Sequence, residues 1–257
     1  MKIRRIIKNA LEGAGYQIMG NESPIYADPA ATEACIEMVS KNTMLSRARL
    51  VSLADQVAHC VRQGVEGDFV ECGVWKGGGV GMMAGILLSE GAANRQLRLF
   101  DSFTDICAPD ASVDGERALE EVGGASSAAG EAPAPVAGAY DAIGGHGTVA
   151  ACRELIEGRI AYPASLVHYY EGWFQDTLPA ASREISKIAL LRLDGDWYSS
   201  TKICLEHLFE KVSPGGFVVI DDYAAYEGCR KAVDEFFASK PPFLWRVDNN
   251  CYSFIKA

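Results

Sequence analysis

The chain has 257 residues, 49% hydrophobic and 23% charged, enough for one α/β domain with appendages and too apolar for a disordered chain. Acids outnumber Lys and Arg 34 to 24, and the net charge of −10 disfavours nucleic acid and anionic membranes as partners. Eight cysteines with no C-x-x-C pair argue against a zinc ribbon or thioredoxin motif and fit buried thiols in a reducing cytoplasm.

The basic start Met1–Lys8 lacks a following apolar stretch, so it reads as an amphipathic helix and not as a signal peptide. No segment reaches membrane-spanning length. Residues 1–66 read as an N-terminal helical cap, with helical spacing clearest over Ala31–Ser40 and Leu50–Gln63. Residues 67–257 then alternate strand and helix. Asp68–Cys72 is a short strand that runs into glycines at 73, 77, 78 and 79, and Val80–Glu90 is the helix that follows. Leu97–Asp101 is a second strand.

Residues 104–147 are rich in Ala, Gly, Ser and Pro without a period, and read as a flexible lid insertion. Thr148–Gly158 is helical again, and Leu166–Tyr170 is a third strand. The fourth and fifth strands are the runs Leu190–Leu193 and Phe217–Ile220. Between them Ser199 or Ser200 caps a helix over Thr201–Lys211, and Pro214-Gly215-Gly216 makes the return turn. A last helix covers Cys229–Ser239. Phe243–Val247 and Cys251–Lys256 flank Asp248-Asn249-Asn250 as a hairpin. The sum is a doubly wound α/β sheet with an antiparallel edge strand.

The fourth and fifth strands each end in two carboxylates, Asp194 and Asp196 in one and Asp221 and Asp222 in the other. In a parallel sheet those ends open onto the ligand crevice. Four acids there repel one another unless a cation lies between them, and a hard divalent metal takes oxygen ligands. The plainer reading makes Asp194 and Asp221 helix caps and the other two surface residues.

The glycine turn after Asp68–Cys72 says only that something approaches the backbone. A phosphate loop needs its Lys after the glycines, whereas Lys76 precedes Gly77. A dinucleotide pyrophosphate is repelled by Glu71 at the strand tip. A ligand whose near end carries an ammonium and a sulfonium is attracted there instead, which suits S-adenosylmethionine. Asp101, closing the second strand, then accepts from the ribose hydroxyls. Singly, Glu71 is also readable as an exposed strand-end acid and Asp101 as a turn cap.

Several segments together carry a family likeness: DFVECGVWKGG (68–78), Asp101-Ser102-Phe103, GWFQDTLP (172–179), LRLDGDWYSST (191–201) and SPGGFVVIDDY (213–223), with Thr43-Met44-Leu45-Ser46 and Gly228–Val233 beside them. As a set they resemble the macrocin and mycinamicin sugar O-methyltransferases. The resemblance implies a class I, Rossmann-like methyltransferase sheet, S-adenosylmethionine as donor, and Mg²⁺ held by Asp194, Asp221 and Asp222. It makes Asp196 the candidate general base and Asp194 a catalytic ligand. It places cofactor contacts on Glu71, Gly73, Asp101 and Ser102, with Thr43 and Met44 closing from the N-terminal helices and Trp173 against the adenine. It further implies a homo-oligomer with the N-terminal helices as interface, and as acceptor a glycoside or deoxysugar hydroxyl on a small molecule. The chain departs from the family between Cys107 and Gly147, where the lid keeps His146 as its only histidine.

Methyl transfer from a sulfonium is an in-line displacement, accelerated by holding the acceptor oxygen in place. A metal beside that hydroxyl lowers its pKa, and Asp196 takes the proton. His168 alternates with apolar neighbours and reads as a packed histidine, and His146 lies in the lid. Trp75, Trp197 and Tyr198 are either pocket or core aromatics. Three other functions compete: methylation of a catechol-like diol on the same fold, a nicotinamide-dependent reductase, and a non-catalytic binding protein.

Overall fold

The strand expected over Asp68–Cys72 forms with those bounds (β1) in the computed structural model, which describes residues 27–257. The helix expected over Met1–Lys8 lies outside the described residues. Among the described residues two helices precede β1, α1 (Pro29–Val39) and α2 (Arg47–Arg62). Each begins as its sequence dictates. The Asp28 carboxylate accepts from the Ala31 amide at 2.8 Å, with Pro29 in the first turn, and the Ser46 hydroxyl accepts from the Arg49 amide at 3.2 Å.

The remaining elements are α3 (Gly78–Ser89), β2 (Leu97–Asp101), α4 (Glu116–Glu121), α5 (Val149–Arg153), β3 (Val167–Glu171), α6 (Phe174–Ala181), β4 (Ile188–Leu193), α7 (Tyr198–Leu208), β5 (Val212–Ile220), α8 (Glu227–Phe236), β6 (Trp245–Arg246) and β7 (Tyr252–Ile255). The α5 helix continues as a π-turn over Glu154–Arg159, which completes the expected helical span. Strand order is β3-β2-β1-β4-β5-β7-β6, parallel up to β5, with β7 antiparallel to β5 and to β6. The antiparallel strand therefore stands one in from the edge, and the two-residue β6 lies outside it.

Because the order reverses between β1 and β4, the crevice opens outside their carboxyl ends. Both faces of the sheet are covered. Phe69, Leu97, Leu99, Leu190 and Phe217 pack towards α1, α2 and α3. Val70, Phe100, Leu191 and Val218 pack with Leu178, Leu205 and Val233 of α6, α7 and α8. Each fully buried Leu, Ile or Phe contributes about 1.5–3 kcal/mol, so these two layers fix the strand ends that carry the site. Among the described residues no helix is long and apolar enough to cross a membrane.

Two local expectations change. Pro214-Gly215-Gly216 is not a turn but part of β5, where Ile188 pairs with Val212 and Leu190 with Phe217. The extra residues bulge opposite Ala189, and Gly215 has φ +82° there. The helix between β4 and β5 starts earlier than Thr201, so Ser199 and Ser200 lie in its first turn. Its N-cap is Trp197, whose amide donates to the Ser200 hydroxyl at 3.2 Å.

The segment 104–147 contains the short α4 and is pinned at several points. Trp197 Nε1 donates to the Cys107 carbonyl at 2.9 Å, and the Asp114 carboxylate accepts from the Tyr198 amide at 2.7 Å. At its far end Lys76 Nζ donates to the Gly144 carbonyl at 2.8 Å, and Trp75 Nε1 to that of Gly145 at 3.2 Å.

Candidate active site

A cavity of about 950 Å³ opens at the β1/β4 reversal, between the strand ends and the 104–147 segment. All the residues expected to bind cofactor or metal line it, Thr43, Met44, Glu71, Gly73, Asp101, Ser102, Trp173, Asp194, Asp221 and Asp222, as does the candidate base Asp196. Trp75 and Trp197 also reach it. Tyr198 turns away to donate to Glu235 at 2.6 Å. His168 Nε2 lies 2.6 Å from Gln96 Oε1, as suits a packed histidine, and the exposed His146 sits 3.9 Å from Asp105.

The glycines permit close approaches that larger residues would block. Gly73, at φ +87°, brings the end of β1 so near β4 that a Cβ would lie 1.7 Å from the Asp194 carbonyl. At Gly79 a Cβ would lie 2.2 Å from a Glu71 carboxylate oxygen, so the start of α3 and Glu71 form one cradle. The loop before α2 closes over this turn: the Gly78 amide donates to the Asn42 carbonyl at 2.9 Å, and Asn42 Nδ2 to the Lys76 carbonyl at 3.0 Å. Asp101 accepts from the Val74, Trp75 and Phe103 amides at 2.6, 2.9 and 2.6 Å. It thus shapes the glycine loop with three of its four lone pairs and keeps one on Oδ1 for a further donor.

The acids of β4 and β5 do converge. Single ligand oxygens of Asp194, Asp221 and Asp222 lie within 4.8 Å of one another. Neither Asp194 nor Asp221 caps a helix, since α7 and α8 are capped at Trp197 and Tyr226. Asp196 follows at φ +61°, an uncommon conformation for a residue with a side chain. Trp75 and Phe103 share it just beyond β1 and β2, so three strand-end turns around the cavity are of this kind.

The cation that the sequence argument demanded is partly supplied by the chain itself. Arg192, buried on β4, donates through Nη1 to Glu71 and, at 2.8 Å, to Asp194, and through Nη2 to Asp221 at 2.6 Å. Arg49 of α2 donates to the other Asp221 oxygen and, at 2.8 Å, to Asp248. The sequence reading passed over both arginines. A lone Arg inside an apolar strand was the available signal, because a buried guanidinium must be paired. Strand register does the pairing, setting Arg192 directly opposite Glu71.

Two arginines do not balance the five carboxylates Glu71, Asp194, Asp196, Asp221 and Asp222. Burial pushes Glu71 up to about 7 and Asp221 up to about 6, in each case against the pull of Arg192. Burial, reinforced by the neighbouring aspartates, raises Asp196 and Asp222 well above the carboxylate range. Glu71 Oε2 and Asp222 Oδ2 are buried without a partner. The arrangement fits a divalent cation: three oxygen donors converge, one of them with an orphaned oxygen. The orphaned oxygen of Glu71 fits an ammonium.

The family model described as Macrocin-O-methyltransferase (TylF) matches residues 33–125 and 162–254, leaving unmatched a stretch that includes the end of the 104–147 segment. The chain is 36% identical over 198 residues to 8-demethyl-8-(2,3-dimethoxy-alpha-L-rhamnosyl)-tetracenomycin-C 4'-O-methyltransferase of Streptomyces olivaceus, covering 76% of this chain and 67% of that protein. It is 34% identical to Mycinamicin III 3''-O-methyltransferase of Micromonospora griseorubida, covering 76% and 70%. Among solved structures, the O-methyltransferase NovP superposes with a TM-score of 0.67 at 31% identity, over 84% of this chain and 82% of that one.

Proposed function

The chain belongs to the macrocin O-methyltransferase (TylF) family and is an O-methyltransferase, and we propose that it methylates a sugar hydroxyl of a glycosylated natural product, using S-adenosylmethionine and Mg²⁺. Membership sets aside the reductase and the non-catalytic binding protein. The observation that carries the metal-dependent reading is the convergence of Asp194, Asp221 and Asp222, one of which, Asp222, carries a buried, unpartnered oxygen. The sugar acceptor is supported by the relatives, named for a rhamnosyl tetracenomycin and for mycinamicin III.

In this reading Glu71 holds the donor's ammonium through its free oxygen. The Gly73–Gly79 turn lets the donor approach the backbone, Asp101 and Ser102 face the ribose, and Trp173 faces the adenine. Thr43 and Met44 close over it. Asp194, Asp221 and Asp222 hold the cation, which when bound polarises the acceptor hydroxyl. Asp196 accepts the hydroxyl proton on its carboxylate as the new C–O bond forms and the C–S bond breaks. The 104–147 segment walls the acceptor side and excludes water. Free thiols throughout suit a cytoplasmic enzyme, and assembly as a homo-oligomer follows from the family likeness.

The test is methyl transfer from S-adenosylmethionine to a panel of glycosides and catechols, read by mass, with Mg²⁺, with EDTA, and with Mg²⁺ restored. The proposal expects a methylated glycoside that disappears with EDTA and returns with Mg²⁺. Methylation of catechols alone, or transfer indifferent to EDTA, would overturn it.

A further inference from the structure

The Arg192 side chain touches both halves of the site. Its Nη1 is shared between Glu71, on the donor side, and Asp194, on the cation side, and its Nη2 is committed to Asp221. The guanidinium is planar and forked, so the three carboxylates cannot be oriented independently of one another. Both orphaned oxygens of the site lie one step beyond this fork. One is the second oxygen of Glu71, and the other belongs to Asp222, next in chain to Asp221.

We infer that Arg192 is a positioning residue that couples donor binding to cation binding; the inference rests on the proposed function. A cation held by Asp194 and Asp221 fixes the two carboxylates that aim the guanidinium. The fixed guanidinium in turn holds Glu71 with its free oxygen towards the ammonium. Ordering one half therefore reduces what the other half must still order on binding, and the linkage is reciprocal. Arg49 differs. It grips Asp221 from α2 and is anchored by Asp248, which also accepts from the Ser46 hydroxyl at 2.8 Å and from the Asn250 and Cys251 amides at 2.9 Å each. It touches the cation side and not Glu71.

The experiment is calorimetric titration of the full chain with S-adenosylhomocysteine, with and without Mg²⁺, and with Mg²⁺ alone. S-adenosylhomocysteine has no net charge, which keeps direct repulsion from the cation small. Wild type is expected to bind it several-fold more tightly with Mg²⁺ present. Arg192→Lys keeps the charge but loses the fork. It is expected to weaken Mg²⁺ binding by about ten- to a hundred-fold, as loss of a ligand-orienting contact does, and to bring the coupling factor to one. Arg49→Lys is expected to weaken Mg²⁺ several-fold and metal-free S-adenosylhomocysteine binding distinctly less, because a loosened Asp221 reaches Glu71 only through Arg192. A merely structural role for Arg192 would lower both affinities and leave their ratio intact.

Absence of coupling in wild type, or full coupling in a folded Arg192→Lys protein, overturns the inference. If Arg192→Lys does not fold, Arg49→Lys decides: equal losses of both ligands overturn it. A wild type that binds S-adenosylhomocysteine but no Mg²⁺ overturns the proposed function and this inference with it. Normal binding of both with no coupling overturns the inference alone.

Discussion

Asp222→Asn separates the cost of the acid cluster from its use. Asp222 is buried beside Asp194, and its Oδ2 has no partner. Leaving such an atom unsatisfied costs about 1–3 kcal/mol. The substitution keeps the shape, replaces an acid that burial forces to take up a proton, and supplies an amide that can donate to Asp194. The metal-free protein is therefore expected to gain about 1–3 kcal/mol, a rise in Tm of about 2–4 °C per kcal/mol for a domain of this size. Mg²⁺ acts in the opposite sense. At about a hundred times its Kd it adds about 2.7 kcal/mol to wild type, and it should add almost nothing to Asp222→Asn. Calorimetric melting of both proteins in EDTA and in Mg²⁺ reads all four values. A variant that melts below wild type in EDTA, or gains as much from Mg²⁺, would refute the reasoning.

Three further outcomes are expected. Glu71 is pushed up to about 7 by burial, and only its ionised form attracts an ammonium. Metal-free binding of S-adenosylhomocysteine should therefore weaken as pH falls, by about tenfold between pH 8 and 6, and Glu71→Gln should flatten that profile in titrations across the range. Gly79→Ala sets a methyl against the Glu71 carboxylate, so the same titration should show donor binding lost while circular dichroism stays unchanged. Lys76→Met removes the bond from the glycine turn to the Gly144 carbonyl, and steady-state kinetics should show a several-fold higher acceptor KM with little change in donor affinity.

The sheet was readable because its strands are short apolar runs closed by acids. Asp68–Cys72 and Leu97–Asp101 form with the bounds their residues suggest. The acids and glycines of the cavity were readable for the same reason, standing at strand ends by a switch point, whereas Thr43, Met44, Ser102 and Trp173 came only with the family likeness. Bulges were not readable, since Pro214-Gly215-Gly216 spells a turn in any local reading and only the bonds of Gly215 and Gly216 to Lys256 hold it within β5. The short α4 was hidden in a composition that shows no period.

The two arginines were missed for a physical reason as well. The demand for positive charge was plain from the acids, but whether metal or guanidinium meets it depends on register across β1, β4 and β5 and on the docking of α2. Both are tertiary facts. Their finding narrows the cation's share of the charge without removing its place, because Asp222 takes no bond from either arginine.

The most direct measurement is a crystal structure with Mn²⁺ and S-adenosylhomocysteine, read by anomalous scattering. The account predicts one Mn²⁺ peak bounded by Asp194, Asp221 and Asp222, with the amino group of the bound nucleoside at Glu71. A cavity with the nucleoside in place and no Mn²⁺ among those three carboxylates would contradict it.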